Sequence, residues 1–186
     1  MSSSIDKSFV VPARLIFVMW AVFSVEFFLQ INLGVFGIYP RKLSGLIGIL
    51  TAPLIHGNLG HIISNTFPAL FLGTTLYFLF DKIAQKVFLQ CYFLTGILVW
   101  LFARSSYHVG ASGLIYGLAS FLIFFGLFRG DFRSLLVSLL IFAIYSGLFY
   151  GVFPSHPNVS WESHLFGAIV GIYLAAKFSK VKKVNS

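Results

Sequence analysis

The chain has 186 residues, of which 58% are hydrophobic, 18% aromatic and 10% charged, with a mean hydropathy of +0.92 and a formal net charge of +8. A water-soluble domain of this length carries about a quarter of its residues as charges to cover its surface, so the composition excludes a soluble fold and places the chain in a bilayer. The basic excess reads as membrane topology and contact with anionic lipids rather than nucleic-acid binding, because no basic face sits on a soluble fold.

In chain order, residues 1–14 form an N-terminal tail without a cleavable signal pattern: the apolar run that follows is too long, and no small-residue cleavage site succeeds it. Crossing the hydrocarbon core takes roughly 17–25 mainly apolar residues. The first such run, 15–33, is therefore expected to be a permanent anchor, with Glu26 in its outer half held by hydrogen bonds in a structural role. Residues 43–55 are apolar but too short to span, and Gly45, Gly48 and Pro53 break them, so they read as an interfacial or partly re-entrant piece of the first loop. Five further spans are expected at 61–80, 87–103, 112–128, 134–153 and 162–178, followed by a basic tail at 179–186. The expectation is an all-α, six-transmembrane-helix bundle with a partly membrane-embedded first loop, forming one domain over 1–186. Cys91, the single cysteine, lies inside an apolar run, so no intrachain disulfide can form.

The basic residues orient this bundle. Six spans put Lys7, Arg14, Lys82, Lys86, Arg129, Arg133, Lys177, Lys180, Lys182 and Lys183 on one side and only Arg41, Lys42 and Arg104 on the other. The positive-inside bias then places both termini in the cytoplasm. Spans two, four and six run from outside to inside, which brings His61 and Asn65, Ser112, and His164 to their outer ends in one layer. Polar side chains of this kind in a membrane are expensive to bury and mark function.

Helix periodicity adds a second constraint. Gly113 and Gly117 are four apart in span four, and Gly167 and Gly171 four apart in span six, a spacing that lets membrane helices approach closely. His164 precedes Gly167 by three and Gly171 by seven, so it shares their face. Packing through these faces lets Ser112 meet His164, a nucleophile with a general base, which is the minimum for acyl transfer. The five acids Asp6, Glu26, Asp81, Asp131 and Glu162 offer no well-placed third member, and Glu162, two residues from His164, points to a different face. A Ser–His dyad is expected, with Tyr116, one turn below Ser112, as the candidate that orients the imidazole. His61 and Asn65 are i, i+4 on one face and, with the Ser112 amide at a helix N-terminus, can serve a developing oxyanion. Gly110 and Gly113 leave the backbone open to substrate, and His56 is expected to hold loop structure.

The segments His56-Gly-Asn-Leu-Gly-His61-Ile-Ile-Ser-Asn65, Gly110-Ala-Ser112-Gly113-Leu-Ile-Tyr116-Gly and Ser163-His164-Leu-Phe-Gly167-Ala-Ile-Val-Gly171 resemble the rhomboid intramembrane serine proteases, in family order and spacing. The resemblance implies Ser112 as nucleophile and His164 as base, with Tyr116 stacked on His164 and an oxyanion site from His61, Asn65 and the Ser112 amide. It implies cleavage of single-pass membrane proteins in or near the transmembrane helix, with no metal or organic cofactor. It also suggests that spans two and five admit the substrate. The sequence departs from many bacterial members in the first loop, where Gly37-Ile-Tyr-Pro-Arg-Lys42 replaces a Trp-Arg pair, and at Ser120, where glycine is common.

Two other readings compete. A catalytically silent relative that binds membrane-protein clients typically lacks the serine or histidine, and this chain keeps both. A small channel or transporter with His56, His61 and His164 along its path has no His-Glu-x-x-His motif and leaves Ser112 without a task. Asn158-Val-Ser160 formally fits a glycosylation acceptor, relevant only in a eukaryotic secretory membrane. The absence of organelle-targeting features favours a bacterial inner membrane. Oligomeric state is not encoded in these patterns.

Overall fold

The computed structural model describes residues 2–154 and 159–180; Asn158 of the glycosylation sequence and residues 181–186 of the basic tail lie outside them. The described residues are all-helical, with a single isolated β-bridge between Ile38 and His108. Helix α1 runs over Ser2–Leu29, so residues 2–14, expected as a tail, are continuous with the first apolar helix. The helix stops where Gln30 turns to φ 54°, earlier than residue 33. Glu26 accepts the Leu33 amide at 3.0 Å and ties the next turn, Leu33–Phe36, under the helix end.

The first loop continues through the 3₁₀ turn Leu43–Leu46, the short helix α2 (Gly48–Thr51) and the 3₁₀ turn Ala52–Leu54. It folds onto itself at Gly45 and Gly48, where a Cβ would meet the backbone of Tyr39 and of Gly37–Ile38. Leu43 and Leu50 face outward.

Helix α3 (Leu59–Leu79) starts on Asn58. The Asn58 side chain accepts the His61 amide at 2.8 Å, an ordinary N-cap. Helix α4 covers Asp81–Phe102 and α5 Ser112–Arg129. The latter ends on Gly130 in the left-handed conformation, φ 69°, as helix ends commonly do. Helix α6 spans Phe132–Tyr145, capped by Asp131, and gives way to a seven-residue 3₁₀ segment, Ser146–Val152, before α7 (Trp161–Ser179). The expected fifth span, 134–153, is thus not one α-helix. Gly147 and Gly151 interrupt it, each unfavourable in a helix by about 1 kcal/mol, and the backbone tightens into 3₁₀ geometry.

Among the described residues, four helices are long and apolar enough to cross a membrane: Ser8–Leu29, Leu59–Leu79, Asp81–Phe102 and Ser112–Arg129. The six-span expectation is met to that extent. The run Phe132–Leu148 is apolar but short, and α7 is diluted by Glu162, Ser163 and His164 at its start and Lys177 at its end.

Helix α5 is the centre of the bundle. Of its apolar window 72% is buried, against 17–33% in the other three spans, and Phe121, Phe125, Leu118 and Leu122 are sealed within it. It is closest to α7. A Cβ on Gly167 would strike the Gly113 carbonyl, and one on Gly171 the Gly117 carbonyl. A Cβ on Gly113 would reach the Ser163 carbonyl at 3.2 Å and one on Gly117 the Gly167 carbonyl at 3.4 Å, so all four glycines line the α5–α7 seam. Helix α1 packs on α3, where Trp20 donates to Thr66 at 3.0 Å. Outward faces carry large apolar side chains such as Phe17, Phe28, Phe67 and Phe132, the surface of an integral membrane protein rather than of a water-soluble one.

Candidate active site

The α5–α7 seam brings Ser112, the first residue of α5, to the first turn of α7. Ser112 Oγ lies 2.9 Å from His164 Nε2. The opposite ring nitrogen, Nδ1, is 2.8 Å from the Gly151 carbonyl oxygen in the 3₁₀ segment. Tyr116 stacks face to face on the imidazole, with centroids 4.2 Å apart and planes 3° from parallel. Tyr116, expected to orient the imidazole, lies flat against its face, while the Nδ1 edge of the ring meets a main-chain oxygen.

Above the serine a cavity of about 800 Å³ opens, lined by Ser112, His164, Tyr116, His61 and Asn65 together with Arg104 and Tyr107 of the α4–α5 connection. That size suits a peptide segment or small ligand. His61 covers Gly110, which has a φ of +106° and whose would-be Cβ lies 2.6 Å from the imidazole. Only glycine meets both conditions. Asn65 is buried and donates one N–H to the His61 carbonyl at 2.8 Å. An amide nitrogen carries two hydrogens, so a second remains for the cavity. Helix α5 begins at Ser112 without a side-chain cap, and its first-turn amides have no acceptor inside the helix. Positive helix-dipole charge and N–H donors thus converge where the serine sits.

The backbone around the serine is clamped from the first loop, a role invisible in the motifs. Ile38 exchanges both main-chain hydrogen bonds with His108, at 3.0 and 2.9 Å. The Gly110 amide donates to the Ala52 carbonyl at 2.8 Å, and the Ala111 amide donates to His56 Nε2 at 3.4 Å. His56 stands edge-on to His61, with ring centroids 4.9 Å apart. Burial, with His61 alongside, pulls the His56 imidazole down to about 4. It therefore stays neutral at pH 7 and keeps the lone pair that Ala111 needs. Loop structure, expected of His56, is what its contacts describe.

Arg41 fixes the other end of this clamp. Its guanidinium donates to the Ala103 carbonyl at 2.8 Å, to the Leu101 carbonyl at 3.3 Å and to Ser105 Oγ at 3.2 Å. These bonds satisfy orphan carbonyls at the end of α4. Trp100 returns a bond to the Lys42 carbonyl at 2.9 Å. A polar chain also joins the α4–α5 connection to the start of α7. Ser160 Oγ bonds His108 Nδ1 at 2.5 Å and Ser163 Oγ at 2.6 Å, while Arg104 pairs with Glu162 at 3.5 Å and donates to the Val159 carbonyl at 2.7 Å. Burial holds the His108 imidazole below its usual range. Sequence reading did not find Gly151, Arg41, His108 or Ser160. The only signal for Gly151 was its spacing of four from Gly147 within an apolar run. Among the described residues, no group of three His, Cys, Asp or Glu side chains is arranged to hold a metal ion.

The family model for the Rhomboid domain matches residues 43–181, three-quarters of the chain, including His61, Asn65, Ser112, Tyr116 and His164. Uncharacterized proteins of Mycobacterium bovis and Mycobacterium tuberculosis are 35% identical over 157 residues, covering 77% of this chain and 64% of their own. An uncharacterized protein of Mycobacterium leprae is 36% identical over 147 residues, covering 75% of this chain and 59% of its own. The chain thus spans somewhat under two-thirds of the length of the curated relatives it matches.

Proposed function

This chain belongs to the rhomboid family, and from that premise we propose that it is an intramembrane serine endopeptidase cutting single-pass membrane proteins in or near their transmembrane helix. The observation that carries the proposal is the 2.9 Å contact between Ser112 Oγ and His164 Nε2 at the floor of a cavity walled by amide and imidazole donors.

In the proposed reaction His164 Nε2 takes the Ser112 hydroxyl proton as Oγ attacks the scissile carbonyl. The tetrahedral oxyanion receives the Ser112 amide, the free Asn65 N–H and the His61 ring, donors that are already oriented and cost no reorganisation. His164 then passes its proton to the leaving amine. A water entering through the cavity is deprotonated by the same nitrogen and releases the acyl group from Ser112, restoring the hydroxyl. Nothing in this cycle asks for a metal or organic cofactor. A substrate helix has to unwind to present its amide, since a helical peptide bond is already hydrogen-bonded.

The topology that serves this chemistry has six crossings, with α6 plus its 3₁₀ extension and α7 added to the four helices of full span length. Both termini lie in the cytoplasm and the cavity opens to the outer face, in keeping with the Lys and Arg distribution. A bacterial inner membrane, lipid contact at the basic face and single-pass substrates complete the reading.

The test is fluorophosphonate labelling of detergent-purified protein, wild type against Ser112→Ala and His164→Ala. Labelling that is present in the wild type and lost in both variants supports an activated serine. A folded wild type that stays unlabelled overturns it in favour of a client-binding relative.

A further inference from the structure

Resting on the hydrolase reading above, we infer that the main-chain carbonyl of Gly151 is the third member of the catalytic set, a positioning group that fixes which nitrogen of His164 carries the proton. A neutral imidazole has one N–H and one lone pair. A carbonyl oxygen only accepts, so the 2.8 Å contact with Gly151 requires the proton on Nδ1. The lone pair is then on Nε2, 2.9 Å from the Ser112 hydroxyl, where a general base needs it. In serine triads a carboxylate performs this task, and replacing it by an amide costs about 10⁴ in rate because the wrong tautomer is held.

No carboxylate competes for the position among the described residues. Glu162, the nearest acid in sequence, faces away and pairs with Arg104, and Glu26 holds the Leu33 amide. The Gly151 carbonyl also keeps its bond when Nε2 takes the serine proton: Nδ1–H then belongs to an imidazolium, and the bond becomes charge-assisted.

The same contact explains why position 151 is glycine. A Cβ there would collide with the Tyr116 hydroxyl and lie 3.2 Å from His164 Nδ1. Only a residue without a side chain lets the 3₁₀ segment settle on the Tyr116–His164 pair. Gly147, four residues earlier in the same segment, faces open space, with nothing within 4 Å of its would-be Cβ. The segment therefore presents one glycine for contact and one that is free, and the serine, the base and the orienting oxygen come from α5, α7 and the 3₁₀ segment that follows α6.

The experiment pairs ¹⁵N NMR of histidine-labelled protein in detergent, His164 being assigned by its loss in His164→Asn, with fluorophosphonate labelling of wild type, Gly151→Ala and Gly147→Ala. The expected spectrum shows a protonated Nδ1 and an unprotonated Nε2 in the neutral wild-type ring, and mixed tautomers in Gly151→Ala. Labelling is expected to fall about 10–100-fold in Gly151→Ala and to stay at the wild-type rate in Gly147→Ala. A proton on Nε2 of the wild type, or wild-type labelling by Gly151→Ala, overturns the inference. Should Gly151→Ala fail to fold, the wild-type tautomer decides alone. A wild type that shows the Nδ1–H tautomer yet takes no label sinks the hydrolase reading while upholding the orienting hydrogen bond, so the two failures are distinct.

Discussion

Gly167→Ala is the sharpest test of the claim that the α5–α7 seam sets the distance between His164 and Ser112, the proposed base and nucleophile. The added Cβ would collide with the Gly113 carbonyl oxygen and lie 3.0 and 3.2 Å from the Gly113 carbonyl carbon and the Gly117 nitrogen. All three are backbone atoms of the most enclosed helix in the bundle, so no side chain can swing aside. Relieving the overlap moves α7 outward by roughly 1 Å, at an overpacking cost of about 1–3 kcal/mol. His164 lies three residues, about 4.5 Å along the axis, from Gly167, and so moves almost as far. The Nε2–Oγ separation of 2.9 Å would open to about 3.9 Å, beyond hydrogen-bond length. General-base assistance is worth about 10²–10⁴; loss of part of it predicts a 10–100-fold slower fluorophosphonate reaction. The assay is the labelling rate alongside a thermal scan on tryptophan fluorescence, with Gly147→Ala as the reference because its methyl group meets nothing. Wild-type labelling at an unchanged midpoint in Gly167→Ala would refute the reasoning, since the seam would then not control the dyad.

His56 predicts an acid-sensitive fold. Its imidazole titrates at about 4 in the folded chain against an ordinary 6.5, so folding favours the neutral ring. That contribution is fully present above pH 6.5 and is lost as the pH falls toward 4, up to about 3 kcal/mol. Thermal midpoints between pH 7 and 4.5 should drop more steeply for wild type than for His56→Asn, and parallel curves would count against the assignment. Arg41→Ala should lower the thermal midpoint through loss of the α4 cap, by about 1 kcal/mol for partly exposed bonds. Arg41→Lys should not restore it, because an ammonium cannot fork across Ala103, Leu101 and Ser105 together; full rescue by lysine would show that charge alone matters there.

How much of this was legible in the sequence depends on what kind of constraint acts on each residue. Ser112, His164, His61 and Asn65 were legible as one layer because membrane crossing fixes depth and helical period fixes face. The four glycines were legible for the same reason: spacing of four is a statement about one side of a helix. Gly151 was not, because its contribution is a main-chain oxygen, which every residue possesses. Its setting was misread as well, since 134–153 has the hydropathy of a span and only the two glycines argue for a change of helix type. Arg41 was counted as an outer-side charge, and nothing local in Pro40-Arg41-Lys42 announces that its acceptors lie some sixty residues away, at the end of α4.

The two runs that fall short of a full apolar span, α6 with its 3₁₀ extension and α7, lie where the proposed chemistry is, and the two facts have one cause. Helix α7 loses its span signal to Glu162, Ser163 and His164, and α6 loses its α-helical length to the segment that carries Gly151. A hydrolytic site in lipid needs polar groups, water and irregular backbone at membrane depth, and these are tolerated only where they are buried in protein or line a cavity. The first loop supplies the needed cover. Through Ile38, Ala52 and His56 it takes up backbone groups of His108, Gly110 and Ala111, the three residues whose course delivers Ser112 to its helix start. The loop thus acts as a scaffold for Ser112, and its outer face is apolar, with Leu43 and Leu50 exposed, which suits the proposed placement against hydrocarbon. On this view the short, broken run at 43–55 is not a failed span. It is the part of the fold that lets a serine with an unsatisfied helix N-terminus exist at that depth.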